Sequence, residues 1–179
     1  GVRLGLTSPE IYRMQIRAIL EATAECRRAG LEVHPEIMVP QVCTAQELKT
    51  VKSWVDEIRA EIERDCGFTL DVQFGSMLEV VRACLRAGAL AEDAEFFSFG
   101  TNDLTQTTLG VSRDDAARFL SVYVEQGIYA RDPFVSLDIE GVGQLVSMAA
   151  ERGRATRPGI KLGICGEHGG DPASIAFCG

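Results

Sequence analysis

The feature that most restricts the fold is a regular alternation between short apolar runs and longer amphipathic segments. The short runs indicate buried strands, and the longer segments, in which apolar residues recur every three or four positions, indicate helices. Strand–helix units of this length pair their strands in parallel through right-handed crossovers, so the sequence predicts an α/β fold. The predicted strands are residues 36–40, 69–74, 96–100 and 160–165.

Two capping boxes predict where the first two helices begin. One is Thr7-Ser-Pro-Glu10, with a proline in the first helical turn, and the other is Thr44-Ala-Gln-Glu47. A further helix is predicted after Glu79 and a last one after Pro172. The second helix carries a single apolar stripe, formed by Leu48, Val51, Val55, Ile58 and Ile62.

Polar residues follow three of the predicted strands at the point where each strand ends. These residues are Glu79, Asp103 and the group Cys165-Gly-Glu-His168. A barrel gathers successive strand ends around one centre, whereas a Rossmann sheet would require a glycine-rich first turn, which this sequence lacks. A complete barrel needs roughly 250 residues. We therefore predict a partial (β/α)8 TIM-type barrel, in which parallel strands alternate with helices.

Residues 111–159 interrupt the strand–helix repeat. This segment contains turn-forming sequences such as Asp132-Pro-Phe134 and Gly141-Val-Gly143. Ser112 or Asp114 can cap a first helix, and the apolar spacing after Gly141 predicts a second one. We predict a loop-and-helix insert on the active-site side of the barrel, within the same domain.

Composition excludes several classes of partner. The net charge is −8 and no basic cluster is present, which argues against a nucleic-acid partner. No segment approaches the roughly 18 apolar residues of a membrane span. The six cysteines show no CxxC spacing, which is typical of reduced thiols in an intracellular protein. We expect a location in the cytoplasm, or in an organelle such as a glycosome or plastid.

Glu79 and Asp103 are candidate metal ligands. Taken alone, Glu79 could be a glutamate at a helix start, and Asp103 could be a helix N-cap. However, both carboxylates end neighbouring strands, which lie about 4.7–4.9 Å apart in a sheet. Two carboxylates so placed can share one hard cation, and Mg²⁺ prefers a few carboxylates together with water and substrate oxygens. The sequence therefore predicts a magnesium site.

Gly100, Thr101 and Asn102 precede a predicted helix start. Main-chain amides at such a position favour an anion, and a glycine permits close approach of a ligand to the backbone. The same residues are also compatible with a tight structural turn. Beyond them, Cys165 lies between glycines at a strand end, where a thiol could act as a nucleophile with His168 as its base, or as a general acid.

Four strand-end motifs closely resemble those of the phosphoenolpyruvate (PEP)-utilising enzymes. The motifs lie at residues 35–40, 75–79, 97–106 and 163–172. The resemblance implies that residues 1–179 are part of a single C-terminal PEP/pyruvate-binding (β/α)8 domain, truncated at both ends, with 111–159 as an insert. The insert resembles most the branch of the family that converts ATP, phosphate and pyruvate to AMP, diphosphate and PEP.

The resemblance also implies roles for individual residues. Glu79 and Asp103 would hold Mg²⁺, residues 100–103 (Gly100, Thr101, Asn102, Asp103) would contact pyruvate or PEP, and Cys165 would donate a proton to the enolate carbon. Phosphohistidine and nucleotide-binding domains of a longer parent chain would be partners, and the parent would be a homodimer. One departure from the family pattern is Val81, where proline is usual.

Several alternatives remain open on the sequence. The barrel could belong to a PEP synthase or to enzyme I of the phosphotransferase system. A Mg²⁺-dependent lyase that stabilises the same pyruvate enolate would use a similar pair of acids, but it would not need Cys165 or the insert. A non-catalytic interaction module is a third class, because a partial barrel exposes strand edges that favour a partner.

Overall fold

The computed structural model describes residues 1–179 and contains one parallel four-stranded sheet. The order of the strands in the sheet is their order in the chain, and every neighbouring pair is parallel. This arrangement confirms the α/β prediction and is that of consecutive strands in a (β/α)8 barrel. The strands are β1 (Glu36–Val39), β2 (Gln73–Leu78), β3 (Phe96–Gly100) and β4 (Lys161–Cys165).

Helices follow or connect all of the strands. None of the helices is both long and apolar enough to span a membrane. A π-helical turn at Ile139–Gly143 and a 3-10 turn at Glu167–Gly170 complete the helical structure. The α-helices are α1 (Val2–Thr7), α2 (Pro9–Arg28), α3 (Ala45–Cys66), α4 (Val81–Leu85), α5 (Ala87–Leu90), α6 (Thr101–Leu109), α7 (Arg113–Ala116), α8 (Leu120–Glu125), α9 (Gln144–Thr156) and α10 (Pro172–Cys178).

Strand β2 begins and ends four residues later than predicted, at 73–78 instead of 69–74. The apolar residue Leu70 is buried, which explains the misleading pattern. Its main-chain N–H, however, donates to the carboxylate of Glu63 at 2.7 Å, so α3 rather than the sheet satisfies this amide. Sheet pairing therefore starts only at Gln73, beside Glu36.

Only the second of the two predicted capping boxes forms. Thr44 Oγ1 accepts from the N–H of Glu47 at 3.2 Å, and the Glu47 carboxylate accepts from the N–H of Thr44 at 2.7 Å. The box predicted at Thr7 is wrong, because Thr7 ends α1 and its hydroxyl donates to the carbonyl oxygen of Arg3 at 3.0 Å. Helix α2 begins after Ser8 without a side-chain cap.

The segment 111–159 has two parts with different surroundings. Helix α9 packs against α4 and α5, so it is the crossover helix between β3 and β4. The preceding residues build a small apolar cluster of their own around Ala116, Leu120 and Phe134, separate from the main core. The elaboration of the barrel repeat is therefore concentrated between α6 and the start of α9.

Candidate active site at the carboxyl ends of the strands

The carboxyl ends of the parallel strands meet at one edge of the sheet, which is where α/β barrels place their chemistry. The last residue of β3, Gly100, lies beside the last residue of β4, Cys165. Glu79 follows directly after β2, and Asp103 lies in the first turn of α6, directly after β3. All of the predicted site residues are therefore at the same edge.

Glu79 and Asp103 line one small cavity of about 240 Å³. This arrangement confirms that the two carboxylates approach each other, as the strand order predicts. The remaining wall is formed by Arg3, Gln41, Val80, Gln106 and Thr107. The sequence did not point to Arg3, Gln41 or Gln106, because residues from α1, from the end of β1 and from α6 come together only in the folded chain.

Glu79 is the most perturbed acid at this edge. It is only 5% exposed, and its pKa is raised to about 7. Burial is the main cause; the N–H of Gln41 lowers the pKa, while hydrogen bonding to and repulsion from the Asp103 carboxyl raise it. A buried acid whose ionisation is disfavoured by burial and by a neighbouring carboxyl is a group that a cation would stabilise.

Gln41 holds Glu79 from the end of β1. Its backbone has φ 56°, the only positive φ outside the glycines. This conformation directs the main-chain N–H onto Oε1 of Glu79 at 2.6 Å. Strained backbone of this kind persists only where its surroundings enforce it, and it is frequent at functional sites.

Gly100 provides the space that the Glu79 side chain occupies. A Cβ atom at position 100 would lie 2.7 Å from Glu79 Oε2 and 2.8 Å from Met77 Sδ. Gly100 is also the residue before α6, and no side chain caps this helix start. No side chain therefore occupies the first amides of α6, while their binding of an anion stays a prediction.

Asp103 and Asn102 connect the strand ends to neighbouring loops. Gln106 Nε2 donates to Asp103 Oδ1 at 2.8 Å, and Gln106 Oε1 accepts from the N–H of Arg113 at 2.8 Å. Asn102 Oδ1 accepts from the N–H of Glu167 at 3.4 Å. Arg113 and Glu167 in turn form an ion pair at 2.8 Å, so the segment after α6 and the turn after β4 hold each other in place.

Thr101 and Cys165 are tied together behind the edge. Thr101 is fully buried, and its hydroxyl lies 3.1 Å from the carbonyl oxygen of Cys165 and 2.7 Å from Nδ1 of His168. The Cys165 thiol is half-buried and donates to the carbonyl oxygen of Phe99 at 3.4 Å. The Thr101 side chain thus faces the interior, which leaves only its main chain for a ligand.

The two histidines differ in their environments. His168 is fully buried, and its ring nitrogens contact Thr101 and Pro133 rather than the Cys165 thiol, so it is not placed as the base for that thiol. His34 is exposed and lies before β1, where it pairs with Asp71 at 2.8 Å. Both partners lie at the amino-terminal edge of the sheet, at the opposite end from the predicted site residues.

The donors at the site fit a magnesium ion that keeps part of its coordination for water and substrate. No group of three or more His, Cys, Asp or Glu side chains lies close enough to hold a metal by itself. A pair of carboxylates is, however, the usual protein contribution to a Mg²⁺ site. The cavity that Glu79 and Asp103 share supplies that pair.

The sequence is similar to those of several known proteins. The sequence profile described as "PEP-utilising enzyme, PEP-binding domain" matches residues 1–179. The chain is 57% identical over 179 residues to the pyruvate, phosphate dikinase of Rhizobium meliloti (strain 1021), and 54% identical to that of Clostridium symbiosum. Each alignment covers 99% of this chain and 20% of the relative.

Two further likenesses complete the comparison. A chloroplastic pyruvate, phosphate dikinase of Flaveria pringlei is 52% identical over 177 residues, covering 99% of this chain and 18% of the relative. A solved citrate lyase structure from Burkholderia xenovorans LB400 aligns with 79% of this chain and 48% of its own, at 15% identity and a TM-score of 0.42. The chain thus spans about a fifth of the curated relatives that it matches.

Proposed function

This chain belongs to the PEP-utilising enzymes through their PEP-binding domain, and on that premise we propose that it forms the pyruvate/PEP-binding part of a dikinase. The reaction would convert ATP, phosphate and pyruvate reversibly to AMP, diphosphate and PEP. The observation that carries the proposal is the cavity shared by the buried Glu79 and the half-buried Asp103, at the edge where Cys165 ends β4. The dikinase relatives, at 51–57% identity, support this choice over PEP synthase, enzyme I or a lyase.

Glu79 and Asp103 would hold Mg²⁺, which supplies positive charge to the oxygen atoms of pyruvate and its enolate when bound. The chain itself places Asp103 beside the buried Glu79 in one cavity and holds Glu79 with the Gln41 amide. Asn102 and the main chain at Gly100 and Thr101 would contact the substrate, which is an anion suited to the uncapped start of α6.

Cys165 would move the proton between the methyl carbon of pyruvate and the enzyme. When PEP is made, its thiolate takes a proton from the methyl group of pyruvate, and the enolate oxygen forms its bond to phosphorus as the bond to the carrier histidine breaks. In the reverse direction the thiol returns the proton to the same carbon. The contact of its sulfur with Phe99 and of its carbonyl oxygen with Thr101 keeps this group in one place.

The remaining parts of such an enzyme would come from elsewhere in a longer parent. The relatives are about five times as long as this chain, which supports phosphohistidine and nucleotide-binding domains as partners. A homodimeric parent is part of the same proposal. Bacterial and chloroplastic relatives support a location in the cytoplasm or in an organelle such as a plastid.

Binding of PEP to the full-length parent tests the proposal. We expect Glu79→Gln and Asp103→Asn to weaken Mg²⁺-dependent PEP binding, measured by titration calorimetry. Removal of a charged partner costs roughly 2–5 kcal/mol, which corresponds to about 30-fold or more in affinity. Phosphorylation of the carrier histidine by ATP should persist, because it uses other domains.

The matched control is Glu92→Gln, which makes the same change at an exposed position before β3. It should leave PEP binding as in the wild type. If both site variants bound PEP and Mg²⁺ as tightly as the control, the assignment of this edge as the PEP site would be wrong.

A further inference from the structure

We propose that His168 is a positioning residue that keeps Cys165 in place through Thr101. This inference rests on the proposed function, because it takes Cys165 as the group that moves the proton. His168 has 0% exposure, although it lies in a short glycine-rich turn. A buried imidazole must find partners for both ring nitrogens, and the identity of those partners indicates what the residue does.

The two ring nitrogens contact different parts of the site. Nε2 lies 2.9 Å from the carbonyl oxygen of Pro133, and Nδ1 lies 2.7 Å from Oγ1 of Thr101. A carbonyl oxygen can only accept, so Nε2 carries the hydrogen in the neutral ring and Nδ1 is an acceptor. The single hydroxyl hydrogen of Thr101 is then shared between Nδ1 and the carbonyl oxygen of Cys165, at 3.1 Å.

These contacts join three separate segments behind the strand ends. Thr101 begins α6, Cys165 ends β4, and Pro133 lies in the loop between α8 and α9. The next residue after Cys165 is Gly166, at φ 95°, so the chain turns sharply there. The Thr101 hydroxyl is therefore the side-chain contact that restrains the main chain of Cys165 just before this turn.

His168 is not itself a proton donor to the substrate. Its ring has no exposed surface, and both nitrogens are occupied by Thr101 and Pro133. What the ring can do is hold Oγ1 of Thr101 in one position, from which the hydroxyl contacts the carbonyl oxygen of Cys165. A displacement of about 1 Å at a reacting group can cost about 10²-fold in rate, so this support has a measurable effect.

Two substitutions at position 168 distinguish the contact of Nδ1 from that of Nε2. Asn places its amide near the position of Nδ1, so His168→Asn keeps a partner for Thr101 and loses the contact with Pro133. Gln reaches towards the position of Nε2, so His168→Gln keeps the contact with Pro133 and loses Thr101. Both variants are polar at the same buried position, which makes each the control for the other.

The measurement is solvent deuterium uptake into the methyl group of pyruvate during the reversible pyruvate partial reaction of the full-length parent. We expect His168→Gln to lower kcat about 10–100-fold with KM little changed. His168→Asn should stay within about threefold of the wild type, because the Thr101 contact survives. Equal losses in both variants, or no loss in His168→Gln, would overturn the proposal.

Thr101 provides a second test that does not depend on how well the His168 variants fold. Thr101→Val should slow the exchange as His168→Gln does, Thr101→Ser should retain it, and the double variant Thr101→Val/His168→Gln should be no slower than either single one. Additive losses would contradict a common pathway. If the wild-type parent itself gave no exchange, the proposed function would fail instead, which keeps the two failures distinct.

Discussion

Glu79 combines three constraints in one side chain. It is buried, it shares its cavity with a second carboxylate, and it accepts a hydrogen bond from a strained main-chain amide. The first two constraints disfavour its charge, and the hydrogen bond from Gln41 favours it. Ionisation of Glu79 is therefore unfavourable at neutral pH, and either a proton or a bound cation would stabilise the site.

The raised pKa of Glu79 predicts how the free energy of unfolding depends on pH. The pKa of Glu79 is raised from 4.5 to about 7, so its stabilising contribution is complete below pH 4.5 and is lost as pH rises through 7. Glu79→Gln stays neutral and can still accept from Gln41. We therefore expect the variant to gain stability relative to the wild type between pH 4.5 and pH 8, by on the order of 1–3 kcal/mol.

Thermal or urea unfolding of this chain and its variant in EDTA, at several pH values, measures that difference. The pH dependence that comes from the other ionisable groups is common to both proteins and cancels in the difference. Adding Mg²⁺ at pH 8 should then stabilise the wild type and not Glu79→Gln. A wild type that gained stability over the variant as pH rose would show that Glu79 is not held in the way described.

The capping box at the start of α3 gives a prediction about stability. Thr44→Ala removes the acceptor for the Glu47 amide and should lower the free energy of unfolding by about 0.5–2 kcal/mol. Thr7→Ala is the matched control, because the Thr7 hydroxyl caps no helix and only donates to carbonyl oxygens at the end of α1. Urea denaturation should find little change for Thr7→Ala, and equal losses would contradict the assignment of the caps.

The elements show which features a sequence can predict. Strand β3 and helix α3 followed directly from an apolar run and from a capped apolar stripe, since both patterns are local. The start of β2 did not, because Leu70 is buried whether its amide pairs with a strand or with Glu63. The residues that line the cavity could not be predicted from local patterns either, because Arg3 and Gln41 come together with Asp103 only when distant elements pack.

The sheet of this chain has two unpaired edges, β1 and β4. Leu162 and Ile164 of β4 are only half-buried, although strands of a closed barrel are covered on both faces. We expect the isolated chain to self-associate through such an edge, which sedimentation velocity would detect. Leu162→Lys should reduce the association, and a monodisperse wild-type monomer at high concentration would contradict this expectation.

Taken as a whole, the molecule places an acid pair, an uncapped helix start and a thiol at one edge of a parallel sheet. In the proposed reaction, the thiol of Cys165 moves the proton between pyruvate and its enolate. A general acid–base group contributes about 10²–10⁴-fold, so its removal has a large and specific effect. Cys26, half-buried on α2, offers a control of the same residue type.

The most direct measurement is therefore exchange of the pyruvate methyl hydrogens with solvent, in the full-length parent carrying Cys165→Ala or Cys26→Ala. We expect Cys165→Ala to slow the exchange by at least about 10²-fold, while phosphorylation of the carrier histidine by ATP continues. Cys26→Ala should exchange at nearly the wild-type rate. Normal methyl exchange in Cys165→Ala would show that the thiol has no part in moving the proton.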